Sequence, residues 1–148
     1  MTASGQRRVI AIASDHAGFR LKQTLSDELR ASGLAVLDLG TDSEQSVDYP
    51  IYARKVAEAV RSDEAALGVL ICGTGIGMSI TANRSPGIRA ALCHNEQTAR
   101  LARAHNDANV LVMGARIIDE DTARAILRTF LDTPFEGGRH QRRVALMA

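Results

Sequence analysis

The stretch from Leu67 to Ser79 constrains the fold more than any other part of the sequence. It contains a short apolar run, Val69-Leu70-Ile71, of the kind that fills a buried parallel strand. The run ends at Cys72, and glycine then occupies positions 73, 75 and 77. Successive backbone N–H groups in such a turn can point toward one place, which makes an anion-binding nest at the start of a helix. We therefore predict a strand, an anion-binding turn and a helix in succession.

Cys72 gives this turn a candidate reactive group. The positive end of the following helix would stabilise a thiolate there, which places a sulfur base or nucleophile beside a cradle for negative charge. The alternative is structural, since a cysteine at a strand end is often a small buried hydrophobe and glycines often serve tight turns only. Residue 78 is Met and no Gly-Lys-Ser/Thr follows, which excludes a dinucleotide fingerprint and a nucleoside-triphosphate loop.

The composition is typical of one soluble domain. With 148 residues the chain can bury a core, and aromatic residues make up only 3%, so aliphatic side chains must supply most of that core. The formal net charge of +1 does not favour a nucleic-acid or acidic-membrane partner. Two cysteines do not make a disulfide framework, and no metal-binding spacing such as C-x-x-C or H-E-x-x-H occurs. No signal peptide or membrane span is visible, so we expect a cytoplasmic protein.

Apolar segments alternate with helical patterns along the whole chain, after a start (residues 1–7) that we expect to be frayed. The predicted strands are residues 9–13, 34–39, 69–71, 88–93 and 110–113, and the predicted helices are residues 19–32, 50–62, 75–83, 96–104, 119–131 and 139–147. This alternation predicts a single-domain, three-layer α/β fold of the Rossmann-like type. Its five-stranded parallel sheet should have flavodoxin-type order, with helices on both faces and a C-terminal helical extension. Ligands bind such sheets beyond the carboxyl ends of the strands, where Asp15-His16 and Cys72 lie.

Six short motifs occur along the chain in a characteristic order. They are Ser-Asp-His-Ala-Gly at 14–18, Asp-Tyr-Pro at 48–50, the run at 72–77, Gly-Ile-Arg-Ala at 87–90, His-Asn-Asp at 105–107 and Gly-Gly-Arg-His at 137–140. Together they resemble the ribose-5-phosphate isomerase B family, which includes galactose-6-phosphate isomerase subunits. Members interconvert phosphorylated aldoses and ketoses through an enediolate, without a metal. The resemblance implies that activity here, with no cofactor and with ribose 5-phosphate as the default substrate; allose 6-phosphate, galactose 6-phosphate and a tetrose phosphate are alternatives.

The resemblance also implies roles for individual residues. Cys72 would be the base that moves a proton between sugar carbons 1 and 2, and His105 would assist opening of the sugar ring. Thr74 and the backbone N–H groups of the glycine turn would hold the oxyanion. The expected substrate-binding residues are Asp15, His16, Tyr49, Gly73, Gly75, Ile76, Gly77, Asn106, Arg116, Arg139 and Arg143. Among them, His16, Arg139 and Arg143 would take the phosphate.

Each of these assignments has a structural alternative. Asp15 could cap the first helix, Tyr49 could pack at a helix entry, and His105 could be a charge partner at a helix C-terminus. The arginines near the C-terminus could form a solvated basic face. Cys93 lies at a strand end without a glycine turn, and we interpret it as a core residue. A non-catalytic sugar-phosphate sensor on the same fold would need neither Cys72 nor His105.

The order of the elements also predicts an assembly. Cys72 follows the third strand, at the carboxyl end of the sheet, whereas His105 precedes the fifth strand, at the amino end. A strand of about five residues spans roughly 16 Å, too far for both side chains to reach one reacting group. Arg139 and Arg143 follow a helix that runs back toward the amino end. We therefore expect a homodimer or larger homo-oligomer with shared active sites, in which residues 136–148 pack on a neighbouring subunit.

Overall fold

Five parallel strands form the sheet of this protein, which a computed structural model describes over residues 7–148. The strands are β1 (Val9–Ser14), β2 (Ala35–Asp38), β3 (Leu67–Cys72), β4 (Ala90–Leu92) and β5 (Val110–Gly114). They lie in the order β2-β1-β3-β5-β4, and each neighbouring pair is parallel. The fraying predicted for residues 1–7 falls, apart from Arg7, outside the described residues.

Helices cover both faces of this sheet. They are α1 (Phe19–Ala31), α2 (Tyr49–Arg61), α3 (Ile76–Ala82), α4 (Glu96–Asn106), α5 (Glu120–Asp132) and α6 (Arg139–Ala145). Helices α2 and α3 pack on one face, against alternate residues of the strands. Helices α1, α4 and α5 pack on the other face, where Phe130 of α5 is fully buried. No helix in the described part of the chain is long and apolar enough to cross a membrane.

The predicted fold class is confirmed, and the order of the last two strands differs in detail from flavodoxin. Strands β2-β1-β3 lie in the flavodoxin arrangement, so β1 and β3 are neighbours as expected. The flavodoxin order would continue with β4 and then β5, but here β5 lies between β3 and β4. All five residues of β5 are buried, whereas β4 has three residues that are only half-buried. An interior position suits the buried strand, and the short one takes the edge.

Helix α4 extends further than its sequence pattern predicts. The sequence pattern predicts a helix over residues 96–104, but His105 and Asn106 complete the last turn of the helix. The helix ends at Asp107, which has a left-handed conformation (φ 47°) and accepts a hydrogen bond from Arg103 Nη1 at 2.9 Å. Asn109 also has a structural role, since its side chain accepts the N–H of Arg89 at 2.8 Å. His105 is therefore held on a helix instead of a loop.

Candidate active site

The sulfur of Cys72 lies inside the glycine turn. Cys72 is the last residue of β3 and is 5% exposed, and its Sγ accepts a hydrogen bond from the N–H of Gly75 at 3.2 Å. Gly75 caps α3 in the left-handed region, with φ 84°, where a residue with a Cβ atom would be strained. A backbone donor at a helix N-terminus thus faces the sulfur. This arrangement stabilises the negative charge of a thiolate.

The rest of the turn leaves donors free for a bound anion. The N–H of Ile76 donates to Thr74 Oγ1 at 3.2 Å, so this group and the N–H of Gly75 are already paired within the protein. Within residues 7–148, the N–H groups of Gly73, Thr74 and Gly77 have no acceptor. The Thr74 hydroxyl accepts from Ile76 and keeps its own hydrogen for donation. These four donors are the part of the predicted cradle that a substrate oxygen could use.

Asp15 and His16 lie beside the same turn, at the carboxyl end of β1. The N–H of Asp15 donates to the carbonyl of Ile71 at 3.2 Å, which joins the two strand ends. Asp15 Oδ1 accepts the N–H groups of Ala17 (3.0 Å) and Gly18 (3.2 Å), so this oxygen shapes the turn before α1, whose N-cap is Gly18 and not Asp15. The other carboxylate oxygen has no recorded partner among the described residues.

A hydrogen bond to the ring of His16 determines which of its two nitrogens can donate to a ligand. Its Nδ1 accepts the backbone N–H of Val47 at 3.2 Å, and its side chain is half-buried, so it is not a freely solvated group. A neutral imidazole that accepts at Nδ1 carries its hydrogen on Nε2. Nε2 is therefore the nitrogen that can donate to a phosphate oxygen.

Tyr49 and Arg116 lie directly against the glycine turn. A Cβ atom at Gly77 would lie 2.7 Å from the phenolic oxygen of Tyr49, and one at Gly73 would lie 3.0 Å from Nη1 of Arg116. The backbone N–H of Arg116 also donates to the carbonyl of Gly73 at 2.9 Å. The phenol and the guanidinium therefore occupy the space that side chains at 73 and 77 would fill. Both groups can reach a ligand held by the turn.

The remaining predicted residues lie at the opposite end of the sheet. In the register of β3 and β5, Gly68 pairs with Val110 and Cys72 pairs with Gly114, so His105 lies beyond the amino end of β5. Asn106 lies next to it at the end of α4. Arg139 and Arg143 are exposed and are one turn apart on α6, which packs on α4. Within one chain, the predicted site is therefore divided into two halves that lie at opposite ends of the sheet.

Two residues that the sequence interpretation left unassigned, Glu136 and His140, lie beside His105. The rings of His105 and His140 are stacked, with 4.1 Å between centroids. Burial is the main factor that lowers the pKa of His140, and the charges of His105 and Arg139 add to it. Together with Glu136 the two histidines form a group in residues 7–148 whose side-chain nitrogen and carboxylate oxygen atoms all lie within 4.8 Å of one another. Spacing rules missed this group because His105 lies more than thirty residues before Glu136 and His140.

Large apolar side chains are exposed near both half-sites. Ile76 and Ile80 lie one turn apart on α3 and are 53% and 60% exposed, and Ile51 on α2 is 48% exposed. At the other end, Leu146 and Met147 follow α6 and are also exposed. Such residues are candidates for an interface between protein chains.

Comparison with known proteins identifies the family. Residues 10–147, nearly the whole chain, match the Ribose/Galactose Isomerase family. The chain belongs to this family. The resemblance expected from the six sequence motifs is therefore confirmed.

Relatives within the ribose/galactose isomerase family match over almost their full length. The ribose-5-phosphate isomerase B of Escherichia coli is 47% identical over 91% of this chain and 91% of its own. Among solved structures, a ribose 5-phosphate isomerase of Thermotoga maritima is 55% identical with a TM-score of 0.94, covering 96% of this chain and 98% of its own. The ribose-5-phosphate isomerase B of Clostridium thermocellum is 50% identical with a TM-score of 0.93, covering 94% of both chains.

Proposed function

We propose that this protein isomerises a phosphorylated aldose to the corresponding ketose through an enediolate, and that its substrate is ribose 5-phosphate. The observation that carries the proposal is the hydrogen bond from the N–H of Gly75 to Cys72 Sγ, beside free donors of the same turn. A base next to an oxyanion cradle is what proton transfer at a carbon beside a carbonyl needs. The names of the family relatives support the substrate.

In the proposed reaction, Cys72 moves the proton. Its thiolate removes the hydrogen on carbon 2 of the open-chain aldose, and the electron pair of that bond forms the enediolate. Negative charge then develops on the oxygen of carbon 1, where the N–H groups of Thr74 and Gly77 and the Thr74 hydroxyl can donate to it. The proton of the carbon 2 hydroxyl moves to the oxygen of carbon 1, and the thiol returns its proton to carbon 1, which leaves the ketose with its carbonyl at carbon 2. Asp15, Tyr49 and Arg116 contact the sugar oxygens in this proposal.

Ring opening and phosphate binding belong to the other half-site. His105 assists ring opening, and Asn106 lies beside it at the end of α4. Arg139 and Arg143 bind the phosphate, together with the Nε2–H of His16 from the half-site that contains Cys72. This division of roles requires that two chains bring their different ends together.

The active unit is therefore proposed to be at least a homodimer with shared sites. The exposed isoleucines of α2 and α3 lie beside the glycine turn and offer a surface on which the partner's C-terminal segment can pack. Within its own chain that segment already packs on α4, through His140, while Leu146 and Met147 remain exposed. A cytoplasmic location is part of the same proposal, and the two unpaired cysteines are typical of a reducing compartment.

A panel of sugar phosphates tests the reaction and the substrate together. Aldose–ketose interconversion would be measured with ribose 5-phosphate, allose 6-phosphate, galactose 6-phosphate and erythrose 4-phosphate, each with and without prior treatment with EDTA. We expect the highest kcat/KM with ribose 5-phosphate and no effect of EDTA. A higher kcat/KM with another sugar phosphate would identify that sugar phosphate as the substrate. Binding of a sugar phosphate without turnover would favour a non-catalytic sensor. Activity lost in EDTA and restored by a divalent ion would contradict the mechanism.

A further inference from the structure

The segment that follows α5 is docked on the end of α4 by its backbone. Arg103 Nε donates a hydrogen bond to the carbonyl of Thr133 at 3.3 Å. The N–H of Glu136 donates to the carbonyl of Ala104 at 3.0 Å, which satisfies a carbonyl in the last turn of α4. The backbone at Glu136 is thus held next to His105 by contacts that do not involve the Glu136 carboxylate.

Two glycines then turn the chain so that Glu136 and His140 face the same side chain. Gly137 and Gly138 have φ angles of 70° and 56°, which residues with a Cβ atom rarely adopt. After this turn the ring of His140 stacks on His105, with 12° between the ring planes. Glu136 Oε1 lies 3.7 Å from Nε2 of His105 and 3.6 Å from Nε2 of His140. Oε1 of Glu136 therefore faces the Nε2 atoms of both stacked imidazole rings.

This geometry does not suit a metal ion. The lone pair of an imidazole nitrogen lies in the plane of the ring, and zinc binds along it at roughly 2.0–2.1 Å. Two nearly parallel rings stacked at 4.1 Å have lone pairs that run side by side and do not converge on one point. A carboxylate that faces both Nε2–H groups fits the parallel rings without moving either of them.

We propose that Glu136 is a positioning residue for ring opening, which keeps the proton of His105 on Nε2 and leaves Nδ1 free to act as the base. The proposal rests on the proposed function of His105. A negative charge beside Nε2 favours the tautomer that is protonated there. Nδ1 of His105 has no recorded partner among the described residues, and the stacked ring of His140 restricts rotation of the His105 imidazole.

The proton balance of the step is simple. The anomeric hydroxyl gives its proton to Nδ1 of His105, and its oxygen forms the carbonyl of carbon 1. The bond between carbon 1 and the ring oxygen breaks, and the electron pair leaves with the ring oxygen, which takes a proton from water. While it holds this proton His105 is an imidazolium, which the Glu136 carboxylate stabilises. The imidazolium then gives its proton to the hydroxide that the water leaves behind, which restores the neutral imidazole and the water.

The charged groups around the pair direct this effect toward His105. Arg139 and Arg143 of α6 carry positive charge and oppose protonation of the His140 ring. Burial, His105 and Arg139 lower the pKa of His140, while Glu136 acts in the opposite direction. Because His140 stays neutral near neutral pH, the charge of Glu136 is available to His105.

Kinetics of three variants test the role. Glu136→Gln removes the charge, Glu136→Asp retains it, and Glu120→Gln is the matched control, because Glu120 is also exposed and pairs with a basic side chain, Arg124. General acid–base groups contribute roughly 10²–10⁴-fold, so Glu136→Gln should lower kcat for ribose 5-phosphate about tenfold, with KM changed less than about twofold. Glu136→Asp should recover part of the loss, and Glu120→Gln should match the wild type.

Nitrogen-15 spectra of the histidines at about pH 8 give a readout that a merely structural role would not change. The wild type should show His105 protonated on Nε2, and Glu136→Gln should show a mixture of tautomers. Unchanged kcat, or an unchanged His105 spectrum in a folded Glu136→Gln variant, would overturn the positioning role. If the wild type shows no isomerase activity but the spectra change as expected, the proposed function fails and the effect of Glu136 on His105 stands.

Discussion

Cys72 and His105 lie at opposite ends of the same sheet. Cys72 is in register with Gly114, the last residue of β5, whereas His105 lies five residues before Val110, the first residue of β5. A strand of five residues spans roughly 16 Å, so the two side chains of one chain cannot meet at one sugar. For both to act in one reaction, they must come from different chains.

Mixing two inactive variants should therefore restore activity. Cys72→Ala and His105→Ala each damage every site of their own homodimer, but a mixed dimer has one site with both residues intact. After complete subunit exchange at equal amounts, half of the dimers are mixed and half of their sites are intact, so about a quarter of the wild-type activity should return. The assay is turnover of ribose 5-phosphate before and after exchange. Absence of recovery, with exchange shown by mass spectrometry and both variants folded, would mean that the two residues act within one chain.

The two cysteines should differ in their effect on catalysis. Cys72→Ala should reduce kcat by at least about a thousandfold, because it removes the base that carries the proton, and it should leave the binding of inorganic phosphate nearly unchanged. Cys93→Ala is the matched control, since Cys93 is also buried but lies on the face of α4 and α5. It should keep most of the activity and cost about 1 kcal/mol of stability. Comparable turnover in Cys72→Ala and wild type would rule out the thiol as the base.

Alkylation should distinguish the reactivity of Cys72 from that of Cys93 without mutation. Burial raises the pKa of Cys93 to about 11, so its thiol remains protonated and unreactive near pH 8. The sulfur of Cys72 instead accepts the N–H of Gly75 and lies beside the free donors of the turn. Iodoacetamide should modify Cys72 first, with loss of activity in proportion, as measured by peptide mass spectrometry. Faster labelling of Cys93 in the folded protein would contradict this order.

Arg143 should contribute to binding and not to proton transfer. Arg143→Ala should raise KM for ribose 5-phosphate roughly 10- to 100-fold, since a hydrogen bond to a charged group contributes about 1.5–3 kcal/mol, while kcat changes little. Arg142→Ala is the control on the same helix, one position away and equally exposed. The comparison uses steady-state kinetics of both variants. An unchanged KM in Arg143→Ala would move the phosphate site to another part of the protein.

Acid should destabilise the protein partly through His140. Burial, with help from His105 and Arg139, lowers the pKa of His140 below its ordinary value of 6.5. The unfolded chain then binds a proton more readily than the folded chain, so stability falls as the pH drops below 6.5 toward the lowered value. The Tm of the wild type, measured from about pH 8 to pH 5, should decrease, and that of His140→Gln should decrease less. His94→Gln replaces an exposed histidine and should keep the wild-type slope; equal slopes in all three proteins would contradict the prediction.

Local patterns were sufficient to predict the elements of the fold and one half of the site. The apolar run at Val69–Ile71 became a wholly buried strand, and the glycines after Cys72 formed the turn that precedes α3. The positions of β4 and β5 were harder, because strand order depends on how five strands compete for burial. This competition involves strands that are far apart in the sequence, so no short segment predicts its outcome. Strand β4 is also only three residues long.

The contacts around His105 could not be predicted from local patterns. His105 and His140 are thirty-five residues apart, and their stacking depends on the length of α5 and on the left-handed turn at Gly137-Gly138. The predicted end of α4 at residue 104 was two residues too early, because the helix continues to Asn106 and Asp107 ends it through its own left-handed conformation and its bond from Arg103. The stacking is set by tertiary contacts, to which propensities of single residues are blind.

Tyr49 lies against Gly77 from a different element, since the ring belongs to α2 while the thiol and its turn belong to β3 and α3. One wall of the cleft is thus encoded separately from the atoms that carry the proton. Substitution of Tyr49 can widen or narrow the space beside this wall while the backbone around Cys72 keeps its shape. Under the proposed function, a change in the length of the accepted sugar needs a substitution only in this wall and none at the base.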